Sequence, residues 1–457
     1  MTPQRLLLAV GLPLGLLIAL LSPAWTGYDE FTHFARVVDM AQGNLEPVST
    51  ADGIGSVIPS VHREATGQII LDHQAGRAPW TPTSVRALLQ HRPDGRTVFV
   101  DTRPTSASTP LGYLPATIGA FVPVRADAPG LVVLLAGRLA SLAAYLGIAW
   151  WAVSTAAAFR WSLVVAATLP LNLALASSVS PDGLTVAAVL LAVATWTRVE
   201  AGEQLPIRVL LASCLMLALA KPPYFLVLAL FPASAILDRT AGRIRAALVA
   251  GGALLLGLVT TVANSSENYQ AATITMRVQE IHFQPDVQLD RLLSDLPGFL
   301  WTAVDTWITE YRFYVQGWFR QLGFWEADLP AVVPWMLLVV LAAAILRLDG
   351  DDLRGLVGVR RTMVAFGVGA LLVAIYAVSY VYFTDRADYG HIGLQMARYA
   401  LPLAVLAAVA WSPRALIPAA GRIDRRWALV AVALVPTVGI GASVVTWLWT
   451  GANTPLG

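Results

Sequence analysis

"LLLAVGLPLGLLIALLSPAWTGYDEFTHFARVVDMAQGN", residues 6–44, sets an apolar run of helical length directly against a stretch carrying Asp29, Glu30 and His33. The run from Leu6 to Leu21 is close to what a bilayer requires, about 20 apolar residues rising 1.5 Å each. Its position is that of a secretory signal. However, "SPAWTG" offers a poor cleavage site and many further apolar runs follow, so it reads as a retained membrane helix. Beyond it, Thr26 followed by Asp29 fits a capping-box-like start. Phe31, Phe34 and Val38 then recur at helical spacing. The pattern predicts a short amphipathic helix on the outer membrane surface. Asp29 and His33, four apart, share a face, and Arg36 falls on the same side. Acids in a first turn also simply complement the helix dipole. These acids, however, emerge at the membrane boundary, facing a large polar loop.

Of the 457 residues 56% are hydrophobic and 13% charged, against about 25% charged in a soluble domain. The expected fold is all-α: one polytopic transmembrane bundle over 1–457 with about 11–12 spans. Spans fall near 6–24, 131–155, 162–180, 183–198, 207–220, 223–237, 246–263, 331–347, 362–383, 397–411 and 428–449. The stretch 111–123 is apolar but short, with prolines 110, 115 and 123. Cys214, the only cysteine, cannot form an internal disulfide. Basic residues sit in loops without interleaved aromatics, which gives no sign of nucleic-acid binding.

Three short arginine-rich loops, around Arg239–Arg245, Arg347–Arg361 and Arg414–Arg426, predict the cytoplasmic side. Counting from them places 25–110 and 264–330 outside as the two large extracytoplasmic segments. A backward count puts Asp182 and Lys221 outside too. A forward count through 111–123 as a full span puts Asp182 inside. About 13 residues of helix cover only about 20 Å of a roughly 30 Å core, so 111–123 is read as not crossing. The second segment mixes aromatics such as Trp301, Trp307 and Trp318 with Asp305, Glu310 and Arg312. That suits helices in the membrane interface, either as an aromatic belt or as a sugar- or lipid-binding platform.

Polar groups recur at the outer span ends. Ser180 and Asp182 in "SSVSPDGLT" either cap the next helix or serve a site. Lys221 in "ALAKPPYF" is the one lysine among 31 basic residues; a lysine supplies a compact charge for a phosphate oxygen, where arginine supplies a planar fork. Arg398, near Gln395 and at the start of a span, is costly without a partner, unless it snorkels to the lipid surface. Acids and cations converging on one leaflet are what a phospholipid-linked substrate needs: cations for the phosphate, a carboxylate to activate a nucleophile. P-loop, GxSxG, HExxH and paired CxxC motifs are absent from the sequence.

"DEFTHFARVVDMAQGN" resembles the "DEPAHFYRAYQISEGN"-like opening of the bacterial domain-of-unknown-function 2142 family. "TPLGYLPA" at 109–116, "GRLASLAA" at 137–144, "SSVSPDGLT" at 177–185, "KPPY" at 221–224, "LGFWEADLP" at 322–330 and "GLQMARYALP" at 393–402 follow in the family's order. Phe31 and Thr32 depart from the usual Pro-Ala, Glu326 stands for an aspartate, and "QMARY" replaces a glycine-rich version. The family looks like the GT-C superfamily of membrane glycosyltransferases. That resemblance implies a polyprenyl-phosphate sugar donor, a cell-envelope glycan or glycolipid acceptor, and transfer on the outer face of the bacterial cytoplasmic membrane. It matches Asp29 to the catalytic acid and Asp182 to a second acid, where some members hold a divalent metal. The expected roles are Asp29 as general base, Glu30 and Asp182 beside it as catalytic residues, and His33, Lys221, Tyr224, Glu326, Gln395, Arg398 and Tyr399 at the substrate. The alternatives are a transporter or flippase of a lipid-linked glycan, which needs polar groups at mid-membrane, and a non-catalytic envelope-assembly subunit.

Overall fold

The computed structural model describes residues 1–50, 53–74, 80–102, 105, 108–268, 273–276, 279–282, 285–323, 329–356, 358–383, 392 and 397–447. Among these, six helices are long and apolar enough to cross a membrane: Pro3–Leu21, Gly130–Thr155, Asp182–Glu200, Ala241–Asn264, Val359–Val381 and Arg425–Val445. They match six of the expected spans. Ala397–Trp411 and Arg414–Ala420 form a further pair bent by 70°. Ile207–Ala218, Tyr224–Leu237 and Val333–Leu348 are apolar but shorter. The protein is thus an all-α polytopic bundle with several interrupted elements.

The interruptions have local causes. Pro170 lacks an N–H, and Leu169 before it is extended at φ −52°, ψ 137°. The stretch expected as one span at 162–180 is therefore two helices, Arg160–Thr168 and Pro170–Ala176. Pro222 and Pro223 likewise separate Ile207–Ala218 from the 3-10 turn Tyr224–Ala229.

At the centre stands Asp182–Glu200, 89% buried over its apolar window. Ala187, Ala188, Ala192 and Ala194 let neighbours approach its backbone closely. Its two ends identify the two ends of the molecule. Glu200 meets Arg243 at 3.6 Å and Arg360 at 3.2 Å. Nearby, Arg347 donates to the Ile423 carbonyl, and Arg361 to those of Ala410 and Ser412. The three arginine loops therefore gather at one end, and Asp182 lies at the other.

The short stretch at 111–123 is a continuous helix, Pro110–Arg125. Its start packs at Pro181 and Leu219, and its end reaches the Gln42 carbonyl. Both ends lie on the Asp182 side, which removes the counting conflict. On the same side, segment 25–110 holds a three-stranded antiparallel sheet: Val48–Thr50, Gly53–Pro59 and Thr97–Asp101. Sequence reading had placed a juxtamembrane helix and otherwise a polar loop there. Gly55 permits the strands to close, since a Cβ on it would sit 2.1 Å from the Val100 carbonyl oxygen. In the second large segment the helix Leu296–Arg320 buries Phe299, Tyr314 and Phe319 and exposes Trp301, Val304 and Ile308.

Candidate functional site

The site is assembled from four helix ends. The first helix stops at Leu21, and its last carbonyls lack helical partners. Arg138, from Gly130–Thr155, supplies them: it donates to the carbonyls of Ala19, Ser22 and Pro23, and its remaining N–H groups clasp both oxygens of Glu30. Glu30 also accepts from the backbone of Gly27 and Val179. The pair is wholly buried, at 1% and 0% exposure. It fixes the start of the helix Glu30–Gln42 against the bundle. Glu30 is thereby turned away from the residues it was expected to join.

Asp29 points the other way. Its backbone is left-handed (φ 54°, ψ 18°) and its side chain caps nothing, a conformation that asparagine and aspartate tolerate better than most residues. The capping box expected from Thr26 is not formed; the Thr26 hydroxyl donates to the Pro23 carbonyl instead. The reason is tertiary: Arg398 holds the Asp29 carboxylate at 2.7 Å.

Around this pair the expected residues converge. Arg398 donates to the Tyr399 hydroxyl at 2.8 Å, and its other terminal nitrogen lies 3.9 Å from Asp182 Oδ2. Lys221 donates to Asp182 Oδ1 at 2.8 Å and lies 4.8 Å from the centre of the Tyr399 ring. Tyr28 and Tyr399 flank the guanidinium at 4.9 and 4.8 Å. Tyr224 donates to the Tyr399 carbonyl. His33 shares a 2.9 Å hydrogen bond with the Tyr113 hydroxyl. Two carboxylates thus alternate with two cations between aromatic walls. Asp182 Oδ2 and Arg398 Nη1 face each other, buried and without hydrogen-bond partners.

The electrostatics follow from burial and pairing. Burial alone would raise the Asp29 pKa, but Arg398, with His33, outweighs it and holds the carboxyl below its usual value. Of the Asp29 side chain 45% stays accessible. Burial pushes His33 down to about 4, against the attraction of Asp29 and Asp182. Burial also opposes the charge on Lys221, but Asp182 more than offsets it and the pKa is raised. At neutral pH Asp29 and Lys221 are charged and His33 is neutral.

Glu326 and Gln395 lie outside the described residues. Arg36, expected on the Asp29 face, turns instead to the Leu45 carbonyl. Among the described residues no group of three or more His, Cys, Asp or Glu side chains could hold a metal. Each of the two acids expected at a metal already has a cation beside it, Arg398 at Asp29 and Lys221 at Asp182. Sequence reading missed Arg138, Tyr28 and Tyr113. An arginine inside an apolar run demands a partner, and "GRLASLAA" carried that signal. Gln321 was missed too and accepts from the Tyr28 hydroxyl, while Trp318, read as one of the interface aromatics, donates to the Ala397 carbonyl beside Arg398. Gly323, at φ 125°, brings its segment so close that a Cβ would meet the Thr26 carbonyl at 2.3 Å.

The family model described as a predicted membrane protein (DUF2142) matches residues 12–407, and the chain belongs to that family. No curated protein and no solved structure matches it.

Proposed function

We propose that this DUF2142 protein is a GT-C-like membrane glycosyltransferase that moves a sugar from a polyprenyl-phosphate donor to a cell-envelope acceptor on the extracytoplasmic face. One observation carries the reading: Asp29, Asp182, Lys221 and Arg398, from four distant segments, meet at the end opposite the arginine loops. Arg398 Nη1 and Lys221 are suited to a phosphate oxygen, as a fork and a point charge. A phosphate arriving there draws the guanidinium from Asp29 and frees the carboxylate. Asp29 then takes the proton of the acceptor hydroxyl as its oxygen bonds to the anomeric carbon. The bond from that carbon to the phosphate oxygen breaks, and polyprenyl phosphate leaves with the electron pair, its charge held by Lys221 and Arg398. A single displacement inverts the anomeric centre. Tyr28 and Tyr399, whose rings flank the guanidinium, hold Arg398 in place for the phosphate.

The test is transfer by the purified chain in nanodiscs, read as polyprenyl-phosphate release, with Lys221→Met and Asp29→Asn beside the wild type. Donor saturation unchanged in Lys221→Met and full turnover in Asp29→Asn would together end this reading.

A further inference from the structure

A second cation at this end of the molecule is less completely bonded than the first. Arg36 lies one helical turn beyond His33. Tyr113 is their common neighbour: it bonds His33 and lies within electrostatic reach of Arg36. The Arg36 side chain belongs to a residue only 1% exposed. One terminal nitrogen donates to the Leu45 carbonyl, while Nε and Nη1 are buried without any hydrogen-bond partner. Asp39 and Glu46 attract it without completing it: Asp39 Oδ1 accepts from Asn44, its Oδ2 is buried without a hydrogen-bond partner, and Glu46 is exposed. A guanidinium offers five donors, and burying unmet ones is costly unless a ligand supplies acceptors.

Arg36 lines a cleft of about 320 Å³ together with Glu46, Ser108, Thr109, Leu219 and Asn264. Asn264 lies in the last turns of the helix Ala241–Asn268, so the cleft opens near the end of a membrane helix. Its lining combines a buried cation and the hydroxyl residues Ser108, Thr109 and Thr260 with Leu111 and Leu219. That combination suits an amphiphile whose head is anionic and whose next atoms are apolar. The Lys221–Arg398 cluster shares none of these lining residues.

We infer that the Arg36 cleft is a second phosphate-binding site, taking the phosphate headgroup of a membrane amphiphile, distinct from the Lys221–Arg398 cluster. Taken with the proposed transferase activity, on which this last step alone rests, its occupant is the acceptor, which is then itself linked to a lipid through phosphate.

Native mass spectrometry of the full chain in detergent tests this, with farnesyl phosphate as the probe and farnesol and inorganic phosphate as comparisons. The wild type should hold two equivalents of farnesyl phosphate and none of farnesol. Arg36→Gln should weaken one equivalent at least tenfold. Lys221→Met should weaken the other and leave the Arg36-dependent one. Glu46→Gln removes an exposed like charge from the cleft, without touching the core, and should tighten the Arg36-dependent equivalent several-fold. Wild-type binding in both Arg36→Gln and Glu46→Gln overturns the inference, whatever Lys221→Met does. Displacement by inorganic phosphate at the same concentration as farnesyl phosphate would assign the cleft to a free anion and overturn the lipid headgroup. Two equivalents in Lys221→Met would sink the donor site proposed above while leaving this one standing.

Discussion

Asp29 and Glu30 are neighbours in the chain, and each meets an arginine from a distant helix, yet the two pairs are built in opposite ways. In the Glu30–Arg138 pair both side chains are dry, and all five guanidinium donors are used, two on the carboxylate and three on helix-end carbonyls. In the Asp29–Arg398 pair the acid is 45% accessible, and Arg398 Nη1 is unpartnered opposite an unpartnered oxygen of Asp182. A saturated pair has nothing left to offer a ligand and can only hold the fold. An unsaturated one with an accessible carboxylate can exchange partners. Charge type and burial are similar for both arginines; the count of unmet donors separates scaffold from site.

Substitutions at the two pairs should therefore fail differently. On the proposed mechanism Asp29→Asn should lower glycosyl transfer on the order of 10²–10⁴-fold, the usual cost of a lost general base, with only a small fall in unfolding temperature in detergent, since the acid is 45% accessible. Arg138→Met removes the cation from buried Glu30 and leaves it only the backbone N–H groups of Gly27 and Val179. Breaking such a pair costs about 3–5 kcal/mol, so yield and unfolding temperature should drop before any rate can be measured. A stable Arg138→Met protein, or an unstable Asp29→Asn protein, would reverse the assignments.

Lys221 sharpens the contrast within the site. Lys221→Met should raise the donor concentration needed for half-maximal transfer by about tenfold, equivalent to about 1.4 kcal/mol. Lys221→Arg should recover only part, because the wider fork does not fit the space between Asp182 and the Tyr399 ring. Full recovery by arginine would reduce Lys221 to a helix-end anchor.

A smaller effect concerns pH. His33 titrates at about 4 in the folded chain against 6.5 unfolded. The unfolded chain therefore takes up the proton first, and the His33 contribution to stability is complete above pH 6.5 and is lost as pH falls toward 4. Buried His62, also near 4, acts in the same window. Asp29, its pKa lowered, contributes above the carboxylate range and loses that contribution only below about 3.8. Unfolding temperature followed from pH 7 to 4 should fall less steeply in His33→Gln than in the wild type. An identical slope would show that His33 is not held neutral by burial.

The smallest perturbation tests sidedness. In a Cys214→Ser background, a cysteine replacing exposed Asp127 should react with an impermeant thiol reagent in intact cells. One replacing exposed Arg422 should react only after the membrane is opened. The reverse pattern would place the acid–cation cluster on the cytoplasmic side.

Much of the site was legible because charge is expensive in a membrane. Against a background 56% hydrophobic, Asp29, Asp182, Lys221 and Arg398 each stand out at a span end, and any polar group there needs a partner. The spans were legible for the same reason wherever no proline intervened. What could not be read was pairing. Glu30 and Asp29 have the same local sequence environment, and nothing in that environment says which one Arg138 takes. The sheet in 25–110 escaped because "GIGSVIP" is held by cross-strand partners 46 residues away, as at Gly55 and Asp101, rather than by its own alternation.

The amino-acid order alone determined that the chain is a helical membrane protein, where its arginine loops lie, and which few polar residues had to find partners. Those are local or compositional properties, set by the free energy of moving each side chain from water into an apolar phase. Only the tertiary structure decided that Arg398 reaches back over 369 residues to Asp29 while Arg138 seals Glu30. It alone left Arg36 with unmet donors in a cleft. Whether a buried cation is saturated depends on how many acceptors packing brings within about 3 Å of it, and that geometry is fixed only when the helices close on one another.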